Sequence, residues 1–447
     1  MSDVNAFEQK FNISKLIKFS IPSILMMMIL SLYQCIDGLF VANFVDTSGI
    51  GAINIVYPFI FIGLGIALMI STGGSALIGK ALGEKNNKLA NSIFTFLTCV
   101  SVIIAILTGV FGTIFIDDIL IFLGSTEEYY EMAKTYLSIH FYFIAFYYLQ
   151  NMFQIFFVTA GRPKLGFITT LIGGVTNILL DYIFIVLLNF GIEGAAIATG
   201  ISLVIPSLIG LYSFIFDKKS LLKFTKFEIN FKTLWKTIVN GSSEMLSNIA
   251  NSVTTLLFNY QFYKYYLSTG VDSITIVLYF QFLVSSMIFG FSTGVAPIIS
   301  YKYGEKQLDE LLKIKKSSFI IFTVLSLICF ISSLFLIYPV ANIFSGGDAS
   351  VYKLTVENYF YFSFSILFMG VSIFASSYFT AVEDGKTSLI ISSLRTLVFL
   401  SCSLIILPLL IGEIGVWVAT SFAELLGAII SLLFILKKKV SKITFKQ

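Results

Sequence analysis

Charge and histidine are both scarce in this sequence. Only 12% of its 447 residues are Asp, Glu, Lys or Arg, and it has one histidine, His140. A single imidazole rules out a histidine-rich metal site, and a Ser-His-Asp hydrolase would have to be built around His140, where no supporting motif occurs. GxxxxGK[ST] and HExxH are missing too, and the GxSxG match at Gly290–Gly294 lies inside an apolar run with the sole histidine 150 residues before it, so a membrane enzyme finds no nucleophile and base, and a primary pump would need its ATP site on another chain. Cysteine is equally thin. Cys35, Cys99, Cys329 and Cys402 lie singly in apolar segments without CxxC spacing, which excludes a disulfide framework and leaves small core residues. A net charge of +4, with lysines that do not interleave with stacking aromatics, excludes a nucleic-acid groove.

What is abundant is apolar length. With 57% hydrophobic residues and a mean hydropathy of +0.91, the chain needs lipid as its solvent. Apolar runs predict spans near 16–44, 51–80, 92–115, 131–158, 165–188 and 193–216, then near 235–262, 272–300, 317–340, 354–379, 387–410 and 414–436. The first run is too long for a signal-peptide core and reads as a retained span. The expected fold is an all-α polytopic membrane protein of twelve helices in two six-helix lobes, residues 1–216 and 235–447, with a connector at 217–234. The polar link between the halves, roughly 217–236, is the longest in the chain, and its Lys218, Lys219, Lys223, Lys226, Lys232 and Lys236 suit a link beside anionic lipid; a headgroup or regulatory site is the alternative.

Basic residues orient the bundle. Of 29 lysines and arginines, only Lys134, Lys264 and Lys353 fall in links assigned to the outside, while the C-terminal Lys437, Lys438 and Lys439 fall inside with the N-terminus. Both termini are expected in the cytoplasm. Acids mark the outer links, among them Asp117, Asp118, Glu127, Glu128 and Asp348.

The halves repeat. Ser71–Lys85, STGGSALIGKALGEK, returns as Ser292–Lys306, STGVAPIISYKYGEK, at an offset of 221. The same step aligns Thr159-Ala160 with Thr380-Ala381, Gly191 with Gly412, Gly194 with Gly415, and Ala198-Thr199 with Ala419-Thr420. Six spans return the chain to its starting side, so the repeats should be related by an axis along the membrane normal, an arrangement suited to alternating access around a central site. A duplicated scaffold or receptor that does not move is the bland alternative. Gly73, Gly74, Gly173, Gly174 and Gly294 permit close helix approach, which serves static packing as well as sliding.

A charge at the bilayer centre costs about 2.5 to 3.5 kcal/mol on insertion scales, so each one inside a span is a functional candidate. Here they are Asp37, Asp181, Glu244, Arg395 and Glu424. Asp37 and Asp181 fall at similar depth in the first lobe; Asn177 is one helical turn before Asp181, and Thr199 enters span 6 from the outer side. Two carboxylates, an amide and a hydroxyl suit sodium, and two close carboxylates can equally share a proton. Hydrogen bonding to neighbouring helices is the structural alternative. Glu244, near the inner end of span 7, is open to solvation. Arg395 is expected to pair with a span-end acid or backbone carbonyls. Glu424, in mid-span, is a candidate for cation recognition or proton transfer. Tyr33 and Gln34 precede Asp37 by one turn, and the run FYFIAFYYLQNMF in span 4 could stack on lipophilic cations, although most such rings pack or face lipid.

Taken together, Pro22 and DGLFVANF around Asp37, GAINIVYP, the STGG…GEK end of span 2, GRPKLGFITTLIGGVTNILLDYIFI and GIEGAAIAT resemble the multidrug and toxic compound extrusion family over essentially the whole chain. GSSEMLSNIANSVTTLLFN in span 7 is most similar to its bacterial MepA-like branch. The resemblance implies multidrug efflux, and hence antibiotic resistance, by antiport of amphipathic cations against sodium or protons in a bacterial cytoplasmic membrane. It implies no other cofactor, and a protein that works as a monomer among membrane lipids. It also implies that the first-span acid, the fifth-span Asn and Asp and the sixth-span Thr act together, which map onto Asp37, Asn177, Asp181 and Thr199. Relatives with acids in the middle of spans 7 and 10 are not matched, since span 10 has none and Glu244 lies early in span 7. A flippase for a lipid-linked precursor, which needs a basic cavity for phosphate, is the alternative within transport.

Overall fold

The computed structural model describes residues 6–45, 47–217 and 219–438; of the residues named above, Lys218 and Lys439 lie outside them. The described residues contain eleven helices long and apolar enough to cross a membrane. One of these, Phe231–Gly304, has 74 residues, which at 1.5 Å per residue is about 110 Å, several times the hydrocarbon thickness. Its backbone leaves helical geometry at Leu267 (φ 56°, ψ −145°), inside the expected link between spans 7 and 8, so it is two spans end to end and the total is twelve.

In chain order the helices are α1 (Ile13–Phe44), α2 (Thr47–Gly83), α3 (Asn87–Ile114), a short α4 (Ile116–Phe122), α5 (Glu127–Thr159), α6 (Pro163–Asp181), α7 (Gly191–Phe216), the divided α8 (Phe231–Gly304), α9 (Leu308–Phe344), α10 (Ala349–Ala381), α11 (Gly385–Ser392), α12 (Leu400–Ile411) and α13 (Ile414–Lys437). α6 continues as a π-helical stretch, Tyr182–Leu187, and another, Ser393–Phe399, joins α11 to α12.

The chain forms two compact units, and their limits are not those expected from the link at 217–234. The first is Met1–Gln9 with Leu25–Gly241, the second Lys10–Ile24 with Ser242–Gln447. The start of span 1 thus belongs with the second half and the start of span 7 with the first. Glycine makes this exchange sterically possible. A Cβ on Gly73 would collide with the Thr237 carbonyl, and one on Gly241 with that of Met69, both within the first unit; in the second, a Cβ on Gly294 would lie 2.7 Å from Ser20 Cβ. Gly73 and Gly294 are the repeat-equivalent pair, so the two exchanges use the same device.

In the first unit α5 packs on α2, α3 and α7; in the second α10, its repeat equivalent, packs on α9, α11 and α13. Much of the aromatic run in α5 is accounted for by that packing: Phe141, Tyr148 and Phe153 are buried, whereas Tyr142 is exposed.

The repeat also holds at the backbone. Lys85 and Lys306 both have φ 58°, and Gly191 and Gly412 have φ 56° and 67°. Gly-Glu-Lys is therefore a helix stop: Gly83 and Gly304 close α2 and α8, and the lysine two residues on takes the left-handed conformation, with N–H groups returning to Leu82 and Tyr303 carbonyls.

An ion pair ties one loop to the end of a span in each unit. Arg162, before α6, donates to Asp217, after α7, at 2.6 Å. In the second unit Lys438, after α13, donates to Asp384, before α11, at 2.5 Å, and also to Thr387 Oγ1. On the outer-assigned side, Lys134 and Tyr130 each reach Asp117 at 2.6 Å, and Asp348 caps α10 by accepting from the N–H groups of Ser350 and Val351.

Candidate ion and substrate site

Two adjacent glycines on α6 let its neighbours approach. A Cβ on Gly174 would lie 2.8 Å from the ring of Tyr33 on α1, and one on Gly173 would lie 2.9 Å from Pro206 on α7. Asp37 is one turn past Tyr33, while Asn177 and Asp181 are one and two turns past Gly173, so the close approach carries α1 and α6 acids to a common level. There Asp37 and Asp181 face each other within hydrogen-bonding range. The π-helical stretch begins at the next residue, Tyr182, widening the turn just beyond the acid.

The electrostatics are unbalanced. Asp181 is fully buried and Asn177 is 1% exposed. Asp37 Oδ1, both Asp181 oxygens, Asn177 Oδ1 and Thr199 Oγ1 are buried and have no hydrogen-bond partner among the described residues. Ionised carboxylates only accept, so the two acids can bond to each other only if one holds a proton. Five buried oxygens on α1, α6 and α7 are thus left without a partner among the described residues.

Tyr136, on α5, lies within electrostatic range of both acids, a contact missed in the sequence. With His140, Phe143, Ala196, Thr199, Gly200 and Leu203 it lines a small pocket of ≈ 10 Å³, about the room one water needs. The signal was present: Tyr136, His140 and Phe143 recur at i, i+4 and i+7 on one face of span 4. Tyr33 lies within electrostatic range of Asp37, whereas Gln34 is exposed.

The remaining candidates sit in the second unit, away from these acids in the sequence repeat. Arg395 Nε donates to both oxygens of Glu424, at 2.9 and 2.8 Å. This corrects the expected partner: Arg395 pairs with another mid-span residue, and Glu424 is held as its counterion. Gly427, one turn past Glu424, makes room for the arginine stem, since a Cβ there would lie 3.3 Å from Arg395 Cγ. Glu244 lies within electrostatic range of Arg395 without a direct bond. No group of three or more His, Cys, Asp or Glu suited to a metal ion occurs among the described residues.

Comparison with known proteins agrees with this layout. The MatE family model matches residues 22–183 and again 244–405, one copy per half. The multidrug export protein MepA of Staphylococcus saprophyticus is 24% identical over 436 residues, covering 96% of this chain and 94% of that protein. The probable multidrug resistance protein YoeA of Bacillus subtilis is 28% identical over 212 residues, 46% of each chain. Among solved structures, MATE in complex with MaL6 superposes with a TM-score of 0.91 at 21% identity over 97% of both chains. A MOP superfamily transporter from Pyrococcus furiosus, described as having a binding pocket of reversed polarity, gives 0.90 at 22% identity over 98% of this chain and 99% of that one.

Proposed function

The chain belongs to the MatE family of membrane transporters, and from that premise we propose that it is a cation-coupled exporter of amphipathic cationic compounds in a bacterial cytoplasmic membrane. One observation supports the coupling site: Asp37 Oδ1, Asn177 Oδ1, both Asp181 oxygens and Thr199 Oγ1 are buried with no hydrogen-bond partner among the described residues. An uncompensated cluster of acceptors in a membrane interior is a receptor for positive charge, whether one sodium ion or one proton between the carboxyls.

The mechanism follows from the repulsion between the acids. With both ionised and facing each other, the first unit is destabilised in any arrangement that keeps them together. A cation entering from outside relieves that repulsion and favours the arrangement in which they converge. The ion shifts the conformational balance by its differential affinity for the two states, and release of substrate to the outside is linked to its entry. Pairing of Arg395 with Glu424 supports export over flipping of a phosphorylated lipid precursor, because the one arginine in the middle of a span already has its anion. The distribution of lysines supports termini on the cytoplasmic side, and the protein is proposed to act as a monomer.

The test is efflux of ethidium from proteoliposomes of controlled orientation, with sodium and proton gradients imposed separately. Gradient-driven efflux that disappears in Asp37→Asn and Asp181→Asn establishes the coupled exporter and names its ion. Efflux unchanged in both variants removes the site; no movement under either gradient removes the substrate class.

A further inference from the structure

The link between the halves is not a free tether. Leu222 is fully buried, the Lys223 N–H donates to Asn91 Oδ1 at 2.9 Å, and the Thr225 N–H donates to Thr95 Oγ1 at 2.9 Å. Phe224 packs on Phe94 and Phe227 on Phe96, with ring centroids 4.9 and 5.9 Å apart. All of these lie in the first unit. Asn91 and Thr95 are the fifth and ninth residues of α3, so the strip is fixed about 6 to 12 Å along that helix from its end. The third span is expected to begin near residue 92, so the strip runs beside the start of that span.

From this strip the chain enters α8 and crosses the bilayer. Over the passage Ile229, Phe231 and Trp235 are 65%, 75% and 67% exposed. Phe231 and Trp235 are four residues apart and form one stripe; Lys232 and Lys236, also exposed, form the next. Lys226 is exposed beside Phe227, and Glu228 is the one exposed acid from Thr225 to Lys236. Exposed aromatic rings next to lysines at a membrane boundary match the two-part chemistry of a phospholipid, with apolar chains on one side and phosphate on the other.

We propose that Lys226, Lys232 and Lys236, together with Phe231 and Trp235, form a binding site for an anionic phospholipid headgroup. The proposal rests on the membrane crossing of α8 and not on drug export, so it stands or falls separately from the ion site; on the orientation proposed above, the lipid is in the cytoplasmic leaflet.

Trp235 reports on the site directly, because the chain has only two tryptophans and the other, Trp417, is buried. The full chain carrying W417F is reconstituted in phosphatidylcholine vesicles containing a small, equal fraction of brominated phosphatidylcholine or brominated phosphatidylglycerol, and tryptophan quenching is measured. A W235F chain, which keeps Trp417, supplies the background. Brominated phosphatidylglycerol should quench at least about threefold more strongly, given that each lysine near a membrane surface supports enrichment of up to about fivefold. K232Q/K236Q should abolish the preference and leave quenching by the zwitterionic lipid unchanged, which shows that the helix still reaches the membrane. Equal quenching by both lipids overturns the headgroup site and reduces the strip to an aromatic anchor. Absence of quenching overturns the membrane placement. A preference removed by millimolar inorganic phosphate assigns the lysines to a soluble anion and overturns the lipid.

Discussion

The two halves share a scaffold and differ in what they bury. Moving 221 residues from Asp37, Asn177, Asp181 and Thr199 leads to Phe258, Val398, Cys402 and Thr420, so only the threonine is kept. Phe258 is buried, where its counterpart is an acid. In the other direction, Arg395 and Glu424 correspond to Gly174 and Leu203. What was duplicated and retained is the geometry: the left-handed turns at Lys85 and Lys306, the glycines at 73 and 294, and the central helix of each unit. The buried charge was free to diverge. One half now holds two acids whose buried oxygens meet no donor among the described residues and the other an arginine with its anion, and this contrast is the ground for proposing the coupling chemistry in the first half.

The sharpest way to break this contrast is to neutralise the acids. Asp37→Asn or Asp181→Asn should bring gradient-driven efflux to background while the chain still inserts, and thermal stability in detergent should not fall, since a buried repulsion has been removed. Next is the balanced pair. Glu424→Gln strands a buried guanidinium and should cost about 3 to 5 kcal/mol, read as a large drop in the melting temperature; adding Arg395→Met should restore most of it. If the single substitution is silent, the second half's charges are not a pair.

The scaffold can be tested the same way. Gly73→Ala meets the Thr237 carbonyl oxygen, must displace backbone and should destabilise by about 1 to 3 kcal/mol, whereas Gly294→Ala meets Ser20 Cβ, Oγ and Cα at 2.7 to 2.9 Å, a milder overlap that should cost less, by comparison of melting temperatures. Smallest is the loop clamp. The Arg162 guanidinium, helped by the Lys219 N–H, holds the Asp217 carboxyl below the usual carboxylate range. Its contribution is therefore present above the ordinary carboxylate pKa and is lost as pH falls through the lowered value. Asp217 is 38% exposed, so Asp217→Asn should cost less than about 1 kcal/mol at neutral pH and nothing in strong acid, measured by unfolding at both pH values.

The sequence made the spans, the repeat and the first-lobe acids legible because each is a local or periodic signal. Hydropathy gives length, and the lysines of the inner links give order. Two acids at matched depth in spans 1 and 5 could be paired by counting from the ends of those spans. Other features depend on packing that counting does not reach. Tyr136 joins the acids because α5 turns that face toward them, and Arg395 reaches Glu424 across two helices from a π-helical turn that no residue pattern announced. The exchange of Lys10–Ile24 and the start of α8 between units was hidden for a similar reason: apolar runs say where a helix crosses, not which helices it touches.

The loop clamps carry one more consequence. Asp217 and Lys438 are repeat equivalents, and Asp384 is one residue beyond the equivalent of Arg162, so the same bridge is built with its polarity reversed. A chain made of two similar halves risks closing a loop from one onto a helix end from the other as it is threaded into the membrane. Here that error sets Arg162 against Lys438, or Asp384 against Asp217, and like charges refuse the contact. The reversal gives each half a lock that only its own key fits, so two near-copies in one chain can sort themselves during assembly.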